Sequence, residues 1–216
     1  MYKIEHYTKE LFNFLVRQAR WQLTPGSTVL DVACTRGAFL SYVRSLYPAL
    51  SLTGMDVSPR FIGEAMETVP DAQFWVGDIC IQDQLPAERF DLVFMSGGVH
   101  YLFSDYELWL RNLLSLTKRS AYVCGLFNRE VLEINPIVER SGDKSPWNLV
   151  SEKSISIFLD RLNIRHEFFR WEPPIELPRV NADSAQSCTI ESKDSGFLVV
   201  NGTPIVHRFA VLRMQV

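Results

Sequence analysis

Short apolar runs alternate with amphipathic stretches along the first 130 or so residues of this chain. Val29–Val32, Leu50–Val57, Gln73–Val76, Phe90–Met95 and Ala121–Phe127 are each bounded by turn residues. Runs of that length and flanking read as strands buried in a parallel sheet. Between them, Ala38–Leu46 and Asp105–Leu116 carry helical spacing, and Ser58-Pro59 opens another helix with serine at the cap and proline at the first helical position. Upstream, residues from about Thr8 to Trp21 place Leu11, Phe14, Leu15 and Gln18 on one stripe, closed by Pro25-Gly26. Strands and helices alternating in this way predict βαβ units with right-handed crossovers.

The rhythm changes after Asn128. Residues 128–150 mix helical and loop signals, including Asn135-Pro136 and Ser145-Pro146-Trp147, and read as an insertion. Ser151–Leu162 reads as a capped helix with Ile155, Phe158, Leu159 and Leu162 on its apolar face, followed by a strand at Ile164–Trp171. Three more strand candidates close the chain: Ser187–Ile190, Phe197–Val200 and Ile205–Leu212. Asp194-Ser195-Gly196 and Asn201-Gly202 between them are hairpin signals, so residues 173–204 read as a hairpin-rich insertion and this end as antiparallel. The expectation is one domain over residues 1–216, with a helical cap at 1–24 and a ligand-binding core at 27–127.

Composition narrows the class. The 216 residues are 47% hydrophobic and 22% charged, a globular balance. A net charge of −3 lacks the basic surplus of a general nucleic-acid binder. Cys34, Cys80, Cys124 and Cys188 form no Cys-x-x-Cys pair and have no nearby histidine to complete a zinc pattern, so no metal site is expected. Apolar surroundings for Cys34 and Cys124 fit reduced thiols in a reducing compartment. The N-terminus has no apolar signal core and no run is long enough for a bilayer, which leads to the expectation of a cytoplasmic protein without membrane contact. Asn201-Gly202-Thr203 matches a glycosylation sequon and is read as a turn.

Candidate chemistry sits at the strand ends. Asp31 closes the first strand, Asp56 the second, and Asp78 follows the third. Open α/β sheets bind ligands beyond the carboxyl ends of their strands, near the switch in strand order, so neighbouring strands would bring these acids to one crevice. A helix N-terminus after Gly37 invites a nucleotide-like ligand, while Asp31 disfavours a phosphate there and suits hydroxyls or an ammonium group. An acid at Asp56 can accept both hydroxyls of a ribose. Asp78 can accept from an exocyclic amine of adenine.

With those pieces in place, residues 27–127 resemble the class I S-adenosylmethionine-dependent methyltransferases. The family's first motif is Asp-x-Gly-x-Gly-x-Gly, with Asp-x-Ala-Cys-Gly-x-Gly as a variant; here it reads Asp31-Val32-Ala33-Cys34-Thr35-Arg36-Gly37. The run Phe90-Asp91-Leu92-Val93-Phe94-Met95-Ser96-Gly97-Gly98-Val99-His100-Tyr101-Leu102 is similar to the family's fourth-strand signature. The resemblance implies a Rossmann-like α/β fold: a mostly parallel seven-stranded sheet, helices on both faces, and an antiparallel, hairpin-rich C-terminal part. It implies S-adenosyl-L-methionine as cofactor, with Asp31 near its ammonium group and Ala33, Cys34 and Gly37 along its methionine portion. Asp56 would hold the ribose, Met55 or Val57 would pack on the adenine, and Asp78 with Ile79 would read the adenine edge. Ser96 joins the cofactor set from the fourth-strand signature.

One position departs from the pattern. Threonine replaces the central glycine at Thr35, and a β-branched residue tolerates neither positive φ nor close ligand approach well. The expectation is an ordinary backbone there, with Arg36 turned outward. His100 is the candidate general base, following the fourth strand where it should face the crevice. For the acceptor, Tyr7, Tyr101, Phe103, Asn128, Arg129, Asn135 and Trp147 are candidate liners, since small-molecule sites combine aromatic walls with a few polar groups. The resulting reading is methyl transfer to a small-molecule acceptor by a monomer or homodimer. A nicotinamide-dependent oxidoreductase is the first rival, but it needs a Gly-x-Gly-x-x-Gly turn that this chain lacks. A non-catalytic binding or scaffold protein on the same fold is the second.

Overall fold

The computed structural model describes residues 4–99, 102, 106–129, 137–140, 143–146, 150–171 and 208–216. Its strands are β1 (Thr28–Val32), β2 (Ser51–Asp56), β3 (Gln73–Val76), β4 (Phe90–Met95), β5 (Thr117–Asn128), β6 (Ile137–Arg140), β7 (Asp143–Pro146), β8 (Val150–Ser151), β9 (Arg165–Arg170) and β10 (Arg208–Gln215). The helices are α1 (Ile4–Ala19), α2 (Ala38–Leu46), α3 (Pro59–Thr68), α4 (Tyr106–Ser115) and α5 (Glu152–Arg161), with a 3₁₀ turn at Gln82–Gln84.

Seven strands form one sheet in the order β3-β2-β1-β4-β5-β10-β9, and the two-residue β8 joins it beside β5. Pairings from β3 through β5 are parallel, whereas β10 runs antiparallel to both β5 and β9. Strand order therefore reverses on the two sides of β1, where β2 and β4 flank it, and such a switch point opens a crevice at the carboxyl edge. The expected mostly parallel α/β sheet with an antiparallel C-terminal strand is what the chain forms.

The period-2 pattern of the strands divides the core into two layers. Val93, Met95 and Val123 pack with Trp109, Leu110 and Leu113 of α4 and Ile155, Phe158 and Leu159 of α5. Their neighbours Leu92, Phe94, Tyr122 and Cys124 point the other way, onto Leu15 of α1, Phe39 and Val43 of α2 and Ile62 of α3. Stacking of Phe94 on Tyr122, with ring centroids 5.2 Å apart, and a tilted contact of Phe39 with Phe94 at 5.1 Å continue that second layer across the sheet.

Element boundaries differ from the pattern reading in a few instructive places. Helix α1 buries Leu11, Phe12, Leu15, Val16 and Ala19, while Phe14 and Gln18 sit at its half-exposed border. Two adjacent helical rows were apolar, and packing on α2 selected the one containing Phe12. Strand β5 starts at Thr117, four residues early, because Leu116 at the end of α4 feeds directly into pairing with Phe90. Within 128–150, expected to be helix and loop, β6 and β7 form an antiparallel hairpin pairing Ile137 with Pro146 and Arg140 with Asp143. Its sequence signal was Ser141-Gly142, a two-residue turn pair between short runs. Of the three C-terminal strand candidates, Ile205–Leu212 is met in part by β10; Ser187–Ile190 and Phe197–Val200 lie outside the described residues.

Candidate active site

The loop from Ala33 to Gly37 leaves β1 at the switch point. Three of its five residues have left-handed backbone: Ala33 at φ 57°, Thr35 at φ 47° and Gly37 at φ 76°. The ordinary conformation expected for Thr35 is therefore corrected. A non-glycine residue held there costs about 1–3 kcal/mol and persists only where its surroundings enforce it. Those surroundings are visible. The Cys34 N–H donates to the Met55 carbonyl at 3.0 Å, the Gly37 N–H to the Cys34 carbonyl at 2.9 Å, and the Thr35 N–H to Asp56 Oδ2 at 2.9 Å. Arg36 does turn outward, where its guanidinium pairs with Glu64 of α3 and lies 5.3 Å from the Phe61 ring centroid. Glu64 also accepts from Arg60, and the two guanidinium groups hold its carboxyl below the usual carboxylate range.

Asp56 thus does more than end a strand. Its Oδ1 accepts from the Ser58 N–H at 2.9 Å while Oδ2 holds Thr35, so one buried carboxylate ties the β1 loop to the start of α3. Ser58 caps that helix by accepting from the Phe61 N–H, with Pro59 at the first helical position as expected. Each carboxylate oxygen retains acceptor capacity beyond one backbone bond.

Asp31 is the anomaly of the site. It is 0% exposed, and neither carboxylate oxygen has a partner in hydrogen-bonding geometry among the described residues. Burial pushes its carboxyl well above the usual range, the nearby charge of Asp56 adds to that, and the leaning Ser96 hydroxyl and N–H offset it in part. A buried acceptor left without a donor costs about 1–3 kcal/mol, more when charged. Such a group fits a cationic ligand held beside it.

Glycines shape the walls around it. In the strand register Asp31 sits opposite Gly54 of β2 and Phe94 of β4. A Cβ on Gly54 would lie 2.8 Å from the Cys34 sulfur and 2.7 Å from the Phe74 ring, so the thiol fills the space that glycine leaves. Cys34 therefore fastens the loop from within: its thiol is buried, and desolvation together with the Asp31 and Asp56 charges raises its pKa. After β4, a Cβ on Gly98 would come within 2.6 Å of the Ala33 Cβ, whereas one on Gly97 would meet nothing within 4 Å. Gly98 lets the two loops touch, and Gly97 faces open space.

Val57 is 60% exposed beside Asp56. Asp78 is half-buried; its Oδ1 accepts from the Cys80 N–H at 2.8 Å, and its own N–H donates to Gln84 Oε1 at 3.1 Å. Ile79 packs its side chain in the core, and its carbonyl accepts from buried Asn112 Nδ2 at 2.7 Å. Asn112 was missed in the sequence, although a polar residue between Leu110 and Leu113 on a buried stripe was the available signal.

The structure thus gathers Asp31, Ala33, Cys34, Gly37, Asp56, Val57, Asp78, Ile79 and Ser96 at the carboxyl edge of β3, β2, β1 and β4. Tyr7 falls on α1 and Asn128 ends β5. His100, Tyr101 and Trp147 lie outside the described residues, as do Phe103 and Asn135. Among the described residues no group of three histidine, cysteine or acidic side chains is arranged to hold a metal ion, and no helix is long and apolar enough to cross a membrane.

Residues 29–120 match the family model described as a methyltransferase domain. Trans-aconitate 2-methyltransferase of Escherichia coli is 34% identical over 91 residues, which is 42% of this chain and 35% of that protein. The match thus spans about a third of the length of these relatives. Among solved structures, an S-adenosylmethionine-dependent methyltransferase from Clostridium acetobutylicum superposes with TM-score 0.65 at 10% identity, covering 97% of this chain and 92% of that one. A DhpI–SAH complex gives TM-score 0.64 at 14% identity, covering 98% and 87% respectively. At such identities these two speak to the fold, while the family model and the curated relative speak to the domain. Residues 29–120 are therefore similar to a methyltransferase domain, and the fold of this chain is that of the solved methyltransferase structures on which it superposes.

Proposed function

We propose that this protein transfers a methyl group from S-adenosyl-L-methionine to a small-molecule acceptor. The observation that carries the reading is the buried, unpartnered Asp31 carboxylate beside Asp56 at the switch point. That pair suits a ligand with an ammonium group at one end and vicinal hydroxyls further along. Asp31 would accept from the ammonium, Asp56 from the ribose hydroxyls with lone pairs its two backbone bonds leave over, and Val57 would cover one face of the adenine. Asp78 and the Ile79 backbone would flank the adenine edge. When bound, the cofactor would supply a methyl group activated on a sulfonium, so that an acceptor's lone pair could bond to the methyl carbon in line while the S–CH3 bond breaks and its pair stays on sulfur.

The chain's own contribution is mainly positioning. Holding the acceptor atom in line with the methyl converts a bimolecular encounter into a near-unimolecular step, and that alone lowers the barrier by several kcal/mol, on the order of 7–11 at best. An acceptor that must lose a proton also needs a base, a role we assign to His100, the residue after Val99. The curated relatives named trans-aconitate 2-methyltransferase make small carboxylic acids the first acceptors to try. Incubation with methyl-tritiated cofactor and a panel of such acids should move label into a small organic product. Saturable cofactor binding with no transfer to any acid, amine, thiol or alcohol tested would instead favour a binding role.

A further inference from the structure

Every residue of β1 from Val29 to Val32 is buried, and three of these four are apolar. The fourth, Asp31, brings a carboxyl group into surroundings that do not hydrate it. A lone charge in such a place is disfavoured unless a cation or hydrogen-bond donors meet it. Among the described residues neither is in place: Asp31 is 0% exposed, and no donor forms a hydrogen bond with Oδ1 or Oδ2.

The neighbouring groups enlarge that deficit. From β2, Gly54 stands opposite in register, and Asp56 at the strand end is a second acid. From β4, Phe94 stands opposite, and Ser96 just beyond it leans toward the carboxyl with its hydroxyl and N–H. From the β1 loop comes the Cys34 thiol, which burial and the two acids keep protonated. Arg36 of that loop and Arg60 at the start of α3 both turn onto Glu64, so neither supplies a counter-charge. His100 lies outside the described residues. The two acids differ in their partners. Asp56 accepts from the Thr35 and Ser58 N–H groups, whereas Asp31 has no formed hydrogen bond. Asp31 is thus the one that gains by holding a proton, because a neutral carboxyl escapes both the desolvation cost and the repulsion from Asp56. Burial first, and then the Asp56 charge, raise its pKa accordingly.

We infer that Asp31 carries a proton in the ligand-free protein and gives it up on meeting the cofactor's ammonium group, so that cofactor binding releases one proton and strengthens as pH rises. The release rests on the methyltransferase reading, since it needs that ligand; the proton on ligand-free Asp31 does not. Atoms and charge balance in the step. The carboxyl O–H bond breaks, its proton passes to solvent, and the ammonium keeps all three of its own while one N–H donates to the carboxylate. The charge-assisted pair so formed supplies the counter-charge that the site lacks. Affinity then changes by about tenfold per pH unit over the range in which ligand-free Asp31 is protonated. Falling pH favours the empty site.

Calorimetric titration of the full chain with S-adenosylhomocysteine at pH 5, 6 and 7, each in two buffers of different ionisation enthalpy, counts the protons exchanged. The ligand's ammonium stays charged over this range, since α-amino groups titrate near about 7.7–8.0. Wild type should release close to one proton at pH 5 and bind about tenfold more tightly at pH 6 than at pH 5. Asp31→Asn should exchange almost none, and its affinity should hardly change with pH. Infrared difference spectra of ligand-free wild type against D31N at pH 5 should show the C=O stretch of a protonated carboxyl, which added S-adenosylhomocysteine removes. Binding without proton release at pH 5, equal release from D31N, or a ligand-free spectrum without that band overturns the proposal and leaves the methyltransferase reading standing. A protein that shows the band but binds no S-adenosylhomocysteine at any of these pH values keeps its buried proton and overturns the release together with the methyltransferase reading.

Discussion

Replacing Asp31 by asparagine should make the ligand-free protein more stable and its grip on the cofactor weaker. The wild-type carboxylate is wholly buried, faces Asp56, and lacks a formed hydrogen bond. Leaving such a group unsatisfied costs about 1–3 kcal/mol, and more when it is charged, so removing its charge should recover about that much at pH 8. The pH dependence has a definite sign. The folded-state pKa lies above the unfolded value of 3.8, so the native chain holds a proton that the unfolded chain has already released. Wild-type stability therefore falls as pH rises between those two values, and the full penalty applies above the folded one. The advantage of D31N should be largest at pH 8 and should shrink as pH is lowered to 5. In the complex, the ammonium loses a charge-assisted partner of about 1.5–3 kcal/mol, or roughly 10- to 150-fold in affinity. Urea unfolding at the two pH values and calorimetric titration with S-adenosylhomocysteine read both effects. A variant less stable than wild type at pH 8, an advantage that does not change with pH, or unchanged cofactor affinity would refute the assignment.

Asp56→Ala should lose about 1–3 kcal/mol of folding stability as well as cofactor affinity, because the Thr35 and Ser58 N–H groups lose their acceptor; wild-type stability in urea would contradict the role of Asp56 in holding the loop. Gly98→Ala puts a methyl group 2.6 Å from the Ala33 Cβ and should cost about 1–3 kcal/mol, read as a lowered Tm, along with weaker cofactor binding. An unchanged Tm would mean that the two loops do not touch. The thiols should be inert in the native protein: burial pushes Cys124 up to about 12 and raises Cys34 further, so iodoacetamide at pH 8 should modify neither until the chain is unfolded. Peptide mass mapping checks this, and rapid native alkylation of Cys34 would show that the β1 loop opens.

The parallel core was readable because each strand is an apolar run and each helix carries its own punctuation, as Ser58-Pro59 shows for α3. Asp31, Asp56 and Asp78 were readable as site residues because strand ends at a switch point share one edge. The state of those residues was not readable. That Asp56 Oδ2 holds the Thr35 N–H, that Thr35 is left-handed, and that Cys34 fills the space over Gly54 involve residues about 20 positions apart. No local propensity records them.

A crystal structure of the protein grown with S-adenosylhomocysteine tests the central claim most directly. The account predicts ligand density beyond the carboxyl ends of β1, β2 and β4, with the ammonium nitrogen on the Asp31 carboxylate and the ribose hydroxyls on Asp56. Density elsewhere, or a ligand whose ammonium does not touch Asp31, would contradict it.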